Sequence, residues 1–281
     1  MRKAGNMGNE RKLVLVTGVS SGIGSEACKL FKRKGYRVIA LSRNSNDRCD
    51  THRYLTLDLG SFELIEALSD MLETEIAAAD RVVLVNNAGY GQFGALRDLS
   101  EEMWSKQFSA HVFGPIKLAS VCLRLCEKHA VPMRVIAVSS VLSIVPQRMK
   151  GLYSTSKHAM NAAHDSFWFD ERENKHLESV SIVLPGPVAT QFRANALSAL
   201  EPLLSAAHAN RRADYDSMAA ALAPGARRKP LTASAWNVAS RIFRAAESSR
   251  PKPRYYVTPQ TYIAVLITRL LPHSLQRLVL R

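Results

Sequence analysis

Short runs of apolar, often β-branched residues recur along the chain, separated by longer stretches with helical spacing. The runs are Lys12–Val16, Arg37–Leu41, Tyr54–Leu57, Arg81–Asn86, Met133–Ser139, Ser179–Leu184 and Arg254–Val257. Most are continuous rather than alternating, the pattern of strands buried on both faces of a parallel sheet. Helical stretches around 22–35, 61–78, 101–129, 151–175 and 233–248 lie between them. This alternation predicts an α/β chain with an open, doubly wound sheet.

Residues 190–230 break the rhythm. They hold no strand pattern, twelve alanines fall between Ala194 and Ala226, and Arg227, Arg228 and Lys229 close the segment. Alanine favours helix, so one or two helices are expected there, over the sheet edge. No linker or repeat divides the chain, which reads as one domain over 1–281 with a flexible N-terminus at 1–11.

Composition narrows the class. With 47% hydrophobic and 22% charged residues the 281-residue chain is a folded one. The four cysteines (Cys28, Cys49, Cys122, Cys126) are too scattered for a disulfide framework. Cys122 and Cys126, four apart, read as small buried hydrophobes. The eight histidines form no ligand-spaced cluster, so no metal site is expected. Without a signal-peptide pattern or a long apolar run, the expected location is the cytoplasm.

Candidate chemistry starts after the first run. Thr17-Gly18-Val19-Ser20-Ser21-Gly22-Ile23-Gly24 joins a strand to a helix. Small residues there let the backbone approach a pyrophosphate, and the helix N-terminus offers unpaired N–H groups. The second run ends in Ser42-Arg43. An acid near this point would bond a ribose 2′-hydroxyl, whereas Arg43 suits a 2′-phosphate, so NADPH/NADP+ is favoured over NADH. Asp58, in Leu57-Asp58-Leu59, is placed to accept from an adenine amino group, and Asn86-Asn87-Ala88-Gly89 ends the fourth run at the edge where ligands bind.

Tyr153 and Lys157 are four apart and share a helix face. An ammonium beside a phenol whose pKa starts near ~10 favours the tyrosinate, which suits Tyr153 to general acid or base work. Tyr-x-x-x-Lys spacing is also common on exposed helices. Ser140, 13 residues before Tyr153, could hold a substrate oxygen or satisfy a local backbone group.

Taken in order, Thr17–Gly24, Asn86–Gly89, Ser140, Tyr153 with Lys157, and Pro185-Gly186-Pro187-Val188-Ala189-Thr190 resemble the short-chain dehydrogenase/reductase family over roughly 12–260. The resemblance implies a Rossmann fold with seven strands that binds NAD(P). Tyr153 would be the acid/base, Lys157 would bind the ribose and lower the Tyr153 pKa, and Ser140 would polarise the carbonyl. Pro185, Gly186, Val188 and Thr190 would lie along the nicotinamide, with Ser21 as a second phosphate contact. Gln107–Pro115, Leu184–Phe192 and Arg250–Leu271 resemble a branch of NADPH aldehyde reductases and 17β-hydroxysteroid- and retinol-dehydrogenase-like members. One departure stands out: His111 occupies the place of an asparagine that helps hold a relay water. Histidine could keep the relay, make it pH-sensitive near ~6.5, or impair it.

The expected activity is NADPH-dependent reduction of an apolar aldehyde or ketone. Phe93, Leu142, Val145, Met149 and Phe192 form the expected pocket, with 190–230 as a lid. A 3-ketoacyl or polyketide ketoreductase acting on a carrier-bound chain and a non-catalytic NADP(H)-binding sensor are the alternatives. The resemblance also implies homodimers or homotetramers through 101–129 and 151–175. The 38 basic and 24 acidic side chains leave a charge of +14, spread along the chain without an aromatic stripe, so nucleic acid is not an expected partner. The apolar, basic segment 258–281 fits a helix on an anionic membrane surface, a substrate lid, a subunit contact, or a helix that completes the core.

Overall fold

A computed structural model describes residues 11–43, 51–226, 231–272 and 274–276. Residues 1–10 of the expected flexible N-terminus, Cys49, residues 227–230 with the basic run, and residues 273 and 277–281 of the apolar, basic C-terminal segment lie outside the described residues. Arg11 is inside them, and its backbone N–H donates to Asp80 Oδ2 at 2.8 Å.

Seven strands form one sheet: β1 (Lys12–Thr17), β2 (Arg37–Ser42), β3 (Arg53–Thr56), β4 (Arg81–Asn86), β5 (Met133–Val138), β6 (Leu177–Leu184) and β7 (Arg254–Tyr256). Their order is β3-β2-β1-β4-β5-β6-β7, and every neighbouring pair is parallel. The parallel sheet expected from the unbroken apolar runs is what forms. Parallel neighbours cannot be joined by tight hairpins, so the connections between them are crossovers.

Helices α1 (Gly22–Arg33) and α2 (Phe62–Ala77) follow β1 and β3. After β4 come α3 (Glu101–Phe108) and α4 (Gly114–Lys128), and after β5 comes α5 (Gly151–Glu171). Strand side chains divide by parity. Leu13, Leu15, Ile39, Leu41 and Leu84 pack with Ile65, Leu68 and Leu72 of α2 and Leu118 of α4. Val14, Val16, Val38, Ala40 and Val85 face the opposite way, onto Ala27 and Phe31 of α1. This period-two split explains why the strands read as unbroken apolar runs. Replacing fully buried Leu84 with Ala would cost about 2–5 kcal/mol. Cys28, Cys122 and Cys126 are buried in these cores.

The stretch expected as one helix over 101–129 is interrupted. Residues Ser109–Phe113 form a π-helical turn between α3 and α4. Pro115 lacks the N–H that would bond the His111 carbonyl, and its ring crowds that carbonyl, so the turn widens. The 190–230 region holds α6 (Phe192–Ser205) and α7 (Arg212–Leu222), as its alanine content predicts. Two further helices are α8 (Ala235–Glu247), which packs beside α1, and α9 (Pro259–Leu270).

Candidate active site

The strand order reverses between β1 and β4, and the loops after these two strands diverge there. A crevice at the carboxyl ends of the strands follows from that reversal. The cleft has a volume of about 2880 Å³. That exceeds the ~300–1,000 Å³ of one ordinary ligand site, leaving room for a dinucleotide and a substrate together.

The loop after β1 lines one end. Thr17 is buried, and its Oγ1 accepts from Asn87 N at 3.0 Å and Ala88 N at 2.9 Å. Asn87 returns the bond by donating Nδ2 to the Thr17 and Gly18 carbonyls. These bonds tie the two loops together. Gly18 has φ +69°, and a Cβ there would sit 2.6 Å from Ala88 Cα, so both conformation and space require glycine. Gly24 is buried against the Gly18 carbonyl and does not line the cleft.

Dinucleotide binding can be tested on α1. Helices α2, α3 and α8 carry side-chain caps from Ser61, Ser100 and Ser234. At α1, the Ser21 side chain makes no cap bond, no acid occupies the first turn, and Ser21, Gly22 and Ile23 line the cleft. That leaves amide donors and a positive helix end for an anion, which fits a pyrophosphate. Ser20, Ser42, Arg43, Asp58, Leu59, Ala88 and Gly89 extend the lining, and Pro185, Gly186, Val188 and Thr190 face them. Arg43 is exposed and Leu59 buried, while Asp58 Oδ1 accepts from Gly60 N at 2.9 Å.

At the other end Ser140, Tyr153 and Lys157 are brought together, all buried. Ser140 follows β5, and its Oγ accepts from Leu142 N at 3.1 Å. Lys157 Nζ donates to the Val138 carbonyl at 2.9 Å. Burial pushes the Lys157 pKa down to about 7. Burial pushes the Tyr153 phenol up to about 12, opposed by its hydrogen bond with Ser140. The expected lowering of Tyr153 by the lysine is therefore not what this environment produces. Burial of the phenol itself outweighs what the neighbouring ammonium offers a tyrosinate.

His111, on the π turn, is fully buried at the Tyr153 ring, with centroids 5.5 Å apart. Its Nδ1 and Ser156 Oγ share a 2.9 Å hydrogen bond, and Ser156 Oγ donates to the Tyr153 carbonyl. A Cβ on Gly89 would stand 2.6 Å from His111 Nε2, so glycine lets the ring in. Burial first, then the Lys157 charge, hold the imidazole pKa well below its ordinary value. The pH-sensitive option is corrected: this ring stays neutral through the physiological range.

Phe93 and Phe192 pack edge-on to Tyr153, with centroids 5.9 and 5.4 Å away. Leu142 and Val145 also line the cleft. Met149 does not. It lies in the hydrophobic cluster behind the wall with φ +62°, and its carbonyl accepts from Gly94 N at 2.8 Å. The register of that loop points the side chain into packing, which sequence could not reveal.

Three buried partners escaped the sequence reading. Gln107 Oε1 accepts from Gln92 N at 2.8 Å, and its Nε2 contacts the His111 ring at 3.0 Å. Gln92 Nε2 donates to Ala199 O of α6 at 3.0 Å, linking the helical insert to the site. Ser156 adjoins Lys157. The four-residue spacing of Gln107 and His111 was the available signal. Helix α9 contributes Ile263, Ala264 and Ile267 to the cleft, and buried Thr261 and Ala264 pack it onto the fold.

Comparison with known proteins agrees with this arrangement. The family model described as short chain dehydrogenase matches residues 12–201. The chain is 30% identical over 268 residues to the uncharacterized oxidoreductase YbbO of Escherichia coli, covering 93% of this chain and 91% of that one. It is 28% identical over 273 residues to an NADPH-dependent 3-dehydrocapnine reductase of Ornithobacterium rhinotracheale, covering 93% of each. Two solved folds superpose with a TM-score of 0.73. One is a short-chain dehydrogenase/reductase from Burkholderia phymatum in complex with NAD, with 22% identity and coverage of 97% of this chain and 96% of that one. The other is a short chain dehydrogenase from Burkholderia cenocepacia in complex with NADP, with 17% identity and coverage of 97% and 98%. The sheet order, the loop after β1 and the family match together make the chain a member of the short-chain dehydrogenase/reductase family of oxidoreductases.

Proposed function

We propose that this oxidoreductase uses NADPH to reduce an apolar aldehyde or ketone to the alcohol. The observation that carries the reading is the convergence of Ser140, Tyr153 and Lys157 beside the aromatic wall of Phe93 and Phe192. Bound NADPH supplies the hydride to the carbonyl carbon. Ser140 holds the carbonyl oxygen, and Tyr153 gives it a proton. A phenol that keeps its proton at neutral pH suits a general acid. Lys157, with a pKa of about 7, is matched to returning a proton to Tyr153 and to binding ribose hydroxyls.

Gly18, Ser20, Ser21, Gly22 and Ile23 hold the pyrophosphate in this reading. Asp58 and Leu59 meet the adenine, and Pro185, Gly186, Val188 and Thr190 meet the nicotinamide. Arg43 and Ser42 select the 2′-phosphate, since β2 ends in Ser42 followed by a basic residue rather than by an acid that would claim a 2′-hydroxyl. The relative named an NADPH-dependent 3-dehydrocapnine reductase supports the cofactor and the direction, and a 3-ketodihydrosphingosine reductase of Bacteroides thetaiotaomicron, 29% identical over 184 residues, supports reduction. Association into a homodimer or homotetramer belongs to the same proposal. Exposed Phe113, beside α4, and Phe169, on α5, are its anchors.

The test is NADPH oxidation against a panel of apolar aldehydes and ketones, with NADH as control and Tyr153→Phe alongside. Turnover with NADPH that vanishes in the variant supports the proposal. Cofactor binding without turnover on any carbonyl overturns it.

A further inference from the structure

Helix α9 has two apolar faces. Its inner face lines the cleft through Ile263, Ala264 and Ile267. Its outer face leaves Tyr262, Ile263, Leu266 and Leu270 exposed at 53%, 54%, 57% and 69%. Leu275 beyond it is exposed too. Ile263 belongs to both faces, so the apolar surface runs from the substrate end of the cleft over its rim to the outside. Contiguous exposed apolar surface of this kind marks an interaction site.

Charge indicates the occupant. From Ser248 to Arg281 the sequence holds Arg250, Lys252, Arg254, Arg269, Arg277 and Arg281 and no acidic residue, within a chain of net charge +14. Arg254 is committed to Asp165. Arg269 is exposed three residues from Leu266, on the same side of α9. Apolar side chains flanked by cations suit an interface of acyl chains and anionic headgroups. Twelve residues make a helix of about 18 Å. That is short of the ~30 Å hydrocarbon core, and among the described residues no helix is long and apolar enough to cross a membrane.

We infer that α9 lies flat on an anionic lipid surface and that a carbonyl compound with an acyl chain passes from the bilayer over Ile263 into the cleft. The route rests on the reductase reading above, but the docking does not. Docking places the cleft mouth at the membrane, so a poorly soluble substrate need not cross water.

The experiment is cosedimentation of the full chain with vesicles of phosphatidylglycerol and phosphatidylcholine, and of phosphatidylcholine alone. Wild type is expected on the anionic vesicles, with binding weakened by salt. Leu266→Asp with Leu270→Asp should lower the partition roughly tenfold or more, with turnover of a short, water-soluble aldehyde unchanged. Neither leucine lines the cleft. Arg269→Glu, a surface change, should weaken binding to anionic vesicles and serves if the double variant does not fold. Equal vesicle binding by wild type and both variants overturns the inference. So does an absence of binding in wild type combined with loss of a dimer in the double variant by light scattering, which assigns the face to a second copy. Vesicle binding without turnover on any carbonyl retains the docking and rejects the reductase reading.

Discussion

His111 Nδ1 and Ser156 Oγ lie 2.9 Å apart, joining the π turn before α4 to the first turns of α5. Through Ser156 this contact reaches the backbone of Tyr153, and through Gln107 it reaches the strand-end loop at Tyr90 and Gln92. The imidazole acts as a neutral strut in this network, because burial and the Lys157 charge keep it unprotonated.

A neutral strut can be replaced by a neutral amide. His111→Asn is expected to keep or raise turnover, with an unchanged pH profile of kcat between pH 6 and 8. His111→Leu should cost about 1–3 kcal/mol in stability, because it strands the Ser156 and Gln107 polar groups. Steady-state rates and thermal melts check both. Complete loss of activity in a folded His111→Asn variant would contradict the account.

Removing the phenol hydroxyl tests the acid directly. Tyr153→Phe is expected to lower kcat by roughly 10²–10⁴-fold while NADPH still binds, as read by cofactor fluorescence. A variant that turns over within a few-fold of wild type would remove Tyr153 from the chemistry.

Arg43 governs cofactor choice in the proposal. Arg43→Ala should raise the KM for NADPH roughly ten- to a hundredfold, the worth of lost hydrogen bonds to a charged group, with little change for NADH. Equal effects on the two cofactors would place Arg43 outside the 2′-phosphate site.

Lys157 links stability to pH. The unfolded chain holds this proton up to a pKa near 10.5, whereas the folded protein releases it above about 7. The unfolded state therefore binds more protons between these values, so stability rises with pH across that window and falls as pH drops toward 7. The full effect is on the order of 5 kcal/mol. His164, depressed to about 4 by burial, adds a loss of the same sign below pH 6.5. Thermal melts from pH 7 to 9.5 should show a rising Tm in wild type and a flatter curve in Lys157→Met. Parallel curves would refute the assignment.

The sequence by itself determined the sheet, the crossover helices and the cofactor loop. The central strands are buried at nearly every position, so burial appears as an unbroken apolar run, and Gly18 stands where the backbone must turn with positive φ. The same local logic put Tyr153 and Lys157 on one helix face and anticipated helices at 190–230. Other properties depend on what packs against a residue, which local pattern does not encode. Met149 points into a cluster behind the cleft because of loop register. The π turn required the Pro115 ring to be read against the His111 carbonyl four residues earlier. Tyr153 and Lys157 move to about 12 and about 7 because neighbouring elements exclude water from both. Helix α9 divides into a cleft-lining face and an exposed one only once the rest of the fold covers Thr261 and Ala264. Periodicity records which side of an element is apolar. Desolvation and hydrogen-bond partners come from distant parts of the chain, so only the tertiary structure could decide them.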